Sequence, residues 1–286
     1  MNPIKPTITY KVVEGTGIQA DFYKAPLQDA PVLVYIHGGG LIFGSRSEIS
    51  SEKVSFFIEA GYSVLSIDYR LAPETKLKAI VEDIQDALKY VQNINRDFVI
   101  VGGSAGGYLA LLMGTLSLKP KAIVSLYGYG DLLADWAEKQ SAHYKAKTLV
   151  DQSDALQVVG SRNAIVTEGK INRFLFYLRC RQQGTWIEEI TGMDTIRDRE
   201  EIGAYCPARH VSADFPPTLL IHGDHDKDVP YQQSLLMSES LTQAGVYNER
   251  IIIPQADHLF DKTLKDLLVM EVYKKIIQFL SEKRMS

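Results

Sequence analysis

The sequence predicts an α/β fold in which a mostly parallel central sheet carries helices on both faces. Two observations predict it. Short, almost continuously apolar runs of strand length recur along the chain, and helical periodicities alternate with them. A third observation, a long and more polar break in that alternation, predicts a helical insertion.

The elements follow in order. Residues 8–24 read as one or two short strands, with Gly15 and Gly17 near a turn. Pro31 precedes Val32-Leu33-Val34-Tyr35-Ile36, the first apolar run. Further runs lie at 62–67, 98–101, 122–127, 218–221 and 250–253. Strands covered by helices on both sides are expected to be continuously apolar. A helix is expected at 51–60, closed by Gly61 as its C′ glycine. Over 79–93, Ile80, Ile84, Ala87, Leu88 and Val91 share one helical face. Helices are also expected at 107–118, at 231–244 before Gly245, and at 261–283, where Leu264, Leu267, Leu268, Val272, Ile276, Ile277 and Leu280 recur.

The alternation breaks between about 130 and 213, with helices expected at 131–145, 152–159 and 166–182. Ile171, Phe174, Leu175 and Leu178 form the expected apolar face of the last. An excursion of about 80 residues exceeds an ordinary connection. The expected division is therefore a core of 1–130 and 214–286, with 131–213 as a helical cap over the C-terminal edge of the sheet. Trp136, Trp186, Phe174, Phe176 and Tyr177 are candidate pocket-lining residues or cap packing, and Tyr129 a further pocket candidate.

Composition sets the outer bounds. The 286 residues are 45% hydrophobic and 23% charged, with a formal net charge of −4, as in an ordinary globular protein. No Lys/Arg cluster stands out, so no nucleic-acid partner and no anionic membrane surface are expected. No run approaches the roughly 18 apolar residues of a membrane helix, so no stable membrane insertion is expected. Met1-Asn2-Pro3-Ile4-Lys5-Pro6 leads into polar, alternating sequence without an apolar targeting core, and a cytoplasmic protein is the expectation. Cys180 and Cys206 read as two free thiols.

The chemistry centres on Gly102-Gly103-Ser104-Ala105-Gly106-Gly107, directly after the run at 98–101 and before a helix-forming stretch. A strand turning sharply into a helix at a serine is a nucleophile elbow, with the serine strained and its Oγ exposed. Serine needs a base, and His258, in a loop just after the run at 250–253, is best placed among six histidines. Loops at the carboxyl ends of parallel strands are where such a sheet gathers its site. The base needs a carboxylate to hold its tautomer. His222-Gly223-Asp224-His225-Asp226-Lys227-Asp228-Val229-Pro230 offers Asp224, Asp226 and Asp228. His37-Gly38-Gly39-Gly40, after the first apolar run, permits a backbone path whose N–H groups converge on an oxyanion. Gly38 and Gly39 are the expected donors, with the Ala105 N–H as a third. His37 reads as structural, and Asp68 and Arg70 as ties for the loop after 62–67.

Neither a G-x-G-x-x-G fingerprint nor a P-loop occurs, which argues against nucleotides. His222, Asp224, His225, Asp226 and Asp228 are dense enough to ligate a metal, but one acid and two turn-stabilising carboxylates account for them. No cofactor and no metal are expected.

Together these motifs resemble the α/β-hydrolase superfamily, and most the esterases related to hormone-sensitive lipase. The resemblance rests on His37-Gly38-Gly39-Gly40, on Asp68-Tyr69-Arg70-Leu71-Ala72-Pro73-Glu74, and on the elbow, where family members often carry aspartate in place of Gly103. It is close over 31–118 and looser after 218. The acid loop, His222-Gly223-x-x-Asp226-x-x-Val229-Pro230, resembles instead that of prolyl-oligopeptidase-like hydrolases, and that pattern places the acid at Asp226. The resemblance implies an α/β-hydrolase fold and a cofactor-free carboxylesterase. Ser104, Asp226 and His258 would be its triad, and esters of short to medium acyl chain its small-molecule substrates. A small-substrate amidase, arylformamidase or peptidase is the alternative within enzymes, and an inactive binding protein the alternative outside them. Acyl limit, cap mobility and oligomeric state are not readable.

Overall fold

The computed structural model describes residues 6–161 and 164–284; the first five residues of the opening segment lie outside that range. Among the described residues, eight strands form one sheet in the order β1-β2-β4-β3-β5-β6-β7-β8. They are β1 (Thr7–Val13), β2 (Thr16–Tyr23), β3 (Val32–Ile36), β4 (Ser63–Ile67), β5 (Phe98–Gly103), β6 (Ile123–Leu126), β7 (Thr218–Gly223) and β8 (Asn248–Ile253). β1 and β2 pair antiparallel, β2 joins β4 antiparallel, and from β4 to β8 every pairing is parallel. This is the α/β class expected from the apolar runs.

Side chains alternate across each strand, so both faces of the sheet need cover. Val32, Val34 and Ile36 of β3 enter one apolar cluster with α2 (Leu77–Ile94) and α3 (Ala105–Gly114). Leu33 enters the other, with Val54 and Phe57 of α1 (Ser51–Glu59). The expected face of α2 is buried at Ile80, Ile84, Ala87, Leu88 and Val91. The Ser50 hydroxyl caps α1 by accepting from the Lys53 N–H at 3.3 Å. Among the described residues, six short α-helices lie between β6 and β7: α4 (Asp135–Glu138), α5 (Ala142–Lys145), α6 (Gln152–Gln157), α7 (Phe174–Gln183), α8 (Trp186–Thr191) and α9 (Arg199–Gly203). Then come α10 (Gln232–Gln243), on the α2 and α3 side through Met237 and Leu241, and α11 (Leu267–Arg284), on the α1 side.

Several boundaries depart from the sequence reading. The helix expected at 131–145 is two single turns, because the Ser141 N–H donates to the Arg181 carbonyl at 2.8 Å and its hydroxyl caps α5. The helix expected from 166 begins only near Ile171, since Leu71 N–H binds the Val166 carbonyl at 2.8 Å and Gly169 bridges Gly44. Its buried face is also different. Leu178 is buried as expected, but Ile171 is 78% and Leu175 39% exposed, and Phe176, Tyr177, Cys180 and Arg181 make up the rest of the buried face. The helix expected at 107–118 stops at Gly114, whose bare Cα packs against the Phe215 ring. The last helix starts at Leu267 rather than 261, because the Asp266 carboxylate accepts from the N–H groups of Leu268 and Val269. Leu267 and Leu268 are exposed, and the buried stripe is Val269, Val272, Tyr273, Ile276, Phe279 and Leu280.

Candidate active site

Ser104 sits between the end of β5 and the first turn of α3, at φ 55°, ψ −121°. That strained backbone is expected of a non-glycine residue at such a turn. The turn closes only because Gly106 has no side chain; a Cβ there would lie 2.0 Å from the Ile36 carbonyl oxygen. Ala105 opens α3, so its N–H has no partner within the helix.

Three loops at the carboxyl ends of β5, β7 and β8 bring Ser104, Asp226 and His258 together. His258 Nε2 is 3.0 Å from Ser104 Oγ, and His258 Nδ1 is 2.6 Å from Asp226 Oδ2. The other Asp226 oxygen accepts from the backbone N–H groups of Asp228 and Val229, both at 2.9 Å. Asp226 Oδ2 also lies 3.1 Å from His222 Nε2. Burial pushes the Asp226 carboxyl up, but bonds from His222 and His258 outweigh it and hold it down at about 2. Burial pulls the His258 imidazole down; the Asp226 hydrogen bond and the charges of Asp228, Asp226 and Asp257 reverse this and raise it. The arrangement has a hydroxyl, a base within reach of its proton, and an anion holding the base, which is what activating a serine requires.

The other acidic candidates are placed elsewhere. Asp224 accepts from the Gln255 N–H at 2.6 Å and ties two loops. Asp228 lines the cleft, accepts from the Tyr177 hydroxyl at 2.7 Å and lies 3.9 Å from His258 Nε2.

Gly38, Gly39 and Ser104 line one cleft of about 680 Å³. Gly39 has φ +93°, and a Cβ there would be 1.9 Å from the Phe43 carbonyl oxygen. Its own carbonyl accepts from the N–H groups of Ile42 and Phe43. A Cβ on Gly38 would be 3.0 Å from the Gly103 carbonyl, so this loop rests against the elbow. The Tyr69 hydroxyl donates to the carbonyls of His37 and Gly38, at 3.0 and 3.1 Å. Trp186 Nε1 donates to the Gly40 carbonyl at 3.0 Å. His37 stacks on Tyr69 at 4.3 Å, and burial lowers it to about 4, so it stays neutral and structural.

Among the aromatic candidates, Phe174 and Tyr177 line the cleft, joined by Phe43 and Tyr144. Trp136 and Trp186 instead enclose the buried Arg181 guanidinium at 5.0 and 5.2 Å. Phe176 faces a different cleft of about 870 Å³, beside Pro73 and Glu188, which holds neither Ser104 nor His258. Tyr129 is buried against Tyr108 at 4.6 Å and lines neither. Asp68 and Arg70 act as loop ties: Asp68 accepts from the Arg46 N–H, and Arg70 pairs with Asp83. Burial pushes both free thiols, Cys180 and Cys206, up to about 12. No group of three or more His, Cys, Asp or Glu that could hold a metal ion occurs among the described residues. Nor is any helix among them long and apolar enough to cross a membrane. Sequence reasoning missed His222 as a partner of Asp226, and missed Tyr127, Lys53 and Asp261 altogether. Their only signal is polarity inside apolar surroundings.

Residues 21–241 match the profile of the family BD-FAE. The chain belongs to the BD-FAE family. Solved structures agree on the fold. An α/β-hydrolase superfamily protein from Enterococcus faecalis is 26% identical, with a TM-score of 0.80, and the match covers 98% of this chain and 99% of that one. A protein of unknown function from Staphylococcus aureus is 24% identical at a TM-score of 0.81, over 98% and 99% of the two chains. An acetyl ester-xyloside bifunctional hydrolase from Caldicellulosiruptor lactoaceticus is 20% identical at 0.73, over 98% and 97%. This BD-FAE member thus has an α/β-hydrolase fold. Among curated proteins it is 28% identical to a non-reducing polyketide synthase of Emericella nidulans, over 89% of this chain. It spans only 13% of that relative's length.

Proposed function

We propose that this BD-FAE family member is a serine hydrolase that cleaves small carboxylic esters of short to medium acyl chain. The hydrogen-bonded series Ser104 Oγ, His258 and Asp226 Oδ2, at 3.0 and 2.6 Å, carries the reading. In the first half of the cycle His258 Nε2 takes the Ser104 proton as Oγ bonds to the carbonyl carbon. The N–H groups of Gly38, Gly39 and Ala105 receive the oxyanion. Collapse breaks the ester C–O bond, and His258 returns the proton to the leaving alcohol. Water repeats both steps on the acyl-enzyme and releases the acid. Asp226 stays ionised and holds the imidazole through Nδ1. The acid loop is of the prolyl-oligopeptidase-like pattern on a hormone-sensitive-lipase-like esterase scaffold.

Residues 131–213 form the helical cap in this reading. Phe174 and Tyr177 on α7 wall the cleft beside the serine and would bound the acyl group. The name of one solved relative, the acetyl ester-xyloside bifunctional hydrolase of Caldicellulosiruptor lactoaceticus, is consistent with ester chemistry.

The test is initial rates on p-nitrophenyl esters from acetate to palmitate, with p-nitroanilides of matching acyl group. Fast turnover of short and medium esters is expected. Preferential anilide cleavage would move the assignment to an amidase. Absence of both turnover and fluorophosphonate labelling at Ser104 would overturn it.

A further inference from the structure

A buried polar cluster lies beside the loop that carries His258, and three of its members, Lys53, Tyr127 and Asp261, line the same cleft as Ser104. Asp261, three residues on, is 3% exposed. Its Oδ2 accepts from Lys53 Nζ of α1 and from the Tyr273 hydroxyl of α11, both at 2.7 Å. Its Oδ1 accepts from the Tyr127 hydroxyl at 2.6 Å. One carboxylate thereby joins α1, α11, the loop after β6 and the histidine loop. Burial works against its charge, but Lys53 and the two phenols more than offset this and keep it ionised.

Tyr127 connects this cluster to the site. Its ring meets the His258 ring edge-on, with centroids 4.8 Å apart. It is held there at some cost. The residue has φ +41°, unusual for a non-glycine residue, and its N–H binds the Ile221 carbonyl at 2.6 Å. The ring reaches the elbow as well, since a Cβ on Gly103 would lie 3.0 Å from the Tyr127 hydroxyl. One phenol is wedged between the neighbour of Ser104 and the imidazole. Asp226 holds the imidazole at Nδ1 and Ser104 meets it at Nε2, while the Tyr127 ring packs against the ring between those two points.

Resting on the hydrolase reading above, we infer that Tyr127 and Asp261 are positioning residues for the reaction. Asp261 anchors the Tyr127 hydroxyl, and the anchored ring keeps His258 Nε2 aimed at Ser104. Both line the cleft that holds Ser104 and His258, and their proposed role is exerted through the imidazole. Their effect is on attack geometry, where a displacement of about 1 Å can cost 10²-fold in rate.

The experiment compares Tyr127→Phe and Asp261→Asn with wild type. Active sites are counted by fluorophosphonate labelling, kcat and KM are measured on p-nitrophenyl acetate, and melting temperatures are recorded. Tyr127→Phe keeps the ring and removes only its anchor, so it is expected to fold. It should lower kcat per titrated site about tenfold, with KM changed less than about twofold. Asp261→Asn should shift kcat in the same direction. A kcat per titrated site equal to wild type in both variants would overturn the inference, even if melting temperatures fall. A second readout needs no turnover: the low-field proton resonance of His258 Nδ1–H should shift or broaden in Tyr127→Phe, and an unchanged signal would overturn the positioning role. Wild-type protein that turns over no ester would instead sink the hydrolase reading, leaving the resonance to decide the positioning role.

Discussion

Asp228 Oδ2 lies 3.9 Å from His258 Nε2, on the cleft side of the imidazole and opposite the Asp226 bond. Two carboxylates therefore face one ring, and both favour its protonated form.

This has a defined consequence for pH dependence. In the proposed mechanism His258 must be neutral to take the Ser104 proton, and its affinity for protons is raised above the ordinary value of 6.5. The acid limb of kcat/KM, which reports the free enzyme, should therefore have its midpoint above 6.5. Asp228→Asn removes one of the raising charges and should move that midpoint down. An unmoved limb would show that Asp228 does not act on the ring. Stability changes with pH in the opposite direction. A raised histidine stabilises the fold below its unfolded value, and this contribution is lost as pH climbs through the folded value.

Ser104→Ala removes the proposed nucleophile while leaving the turn and its glycines intact. It should lower kcat/KM on p-nitrophenyl acetate by at least about 10⁴, with an unchanged melting profile. Substantial turnover by the purified variant would eliminate Ser104 as nucleophile.

Gly39→Ala tests the proposed oxyanion loop. The added methyl meets the Phe43 carbonyl at a φ of +93°, so the loop must move. A fall in kcat on the order of 10²- to 10³-fold is expected, the size seen when one oxyanion donor is lost. Near-normal kcat would remove this loop from the mechanism.

The Arg173–Glu74 pair ties the start of α7 to the core. Arg173 Nη2 is 2.7 Å from Glu74 Oε2, and the side chains are 5% and 0% exposed. Arg173 also donates to the carbonyls of Ile42 and Ala72. Arg173→Met strands a buried carboxylate and should cost about 3–5 kcal/mol, read from the urea midpoint. Adding Glu74→Gln should recover part of that loss, and a single variant as stable as wild type would refute the tie.

Much of this architecture is readable in the chain because it is encoded locally. The strands at 32–36 and 98–103 are runs with no polar residue to interrupt them, and the buried face of α2 follows its period. The turn at Ser104 is legible for the same reason: strand, glycines and helix lie within a few residues. Where local pattern misled, a distant partner had intervened. The start of α7 yields to pairing between Gly169 and Gly44, and its buried face includes Arg181, which Trp136 and Trp186 enclose. Asp261 read as part of a helix because Lys53 and Tyr127 lie far away in sequence.

By itself, the sequence determined which segments become strands and helices, the order of the parallel sheet's building blocks, and the residue types available for chemistry. Those depend on periodicity and backbone preference, which act over a few residues. The acid-loop pattern pointed to Asp226, and the tertiary structure supplied its contact with His258; it alone decided which aromatic rings wall the cleft and which buried groups lie beside the histidine loop. Those depend on distances across the folded chain, such as the 2.6 Å from Asp226 to His258, between residues that no local pattern relates.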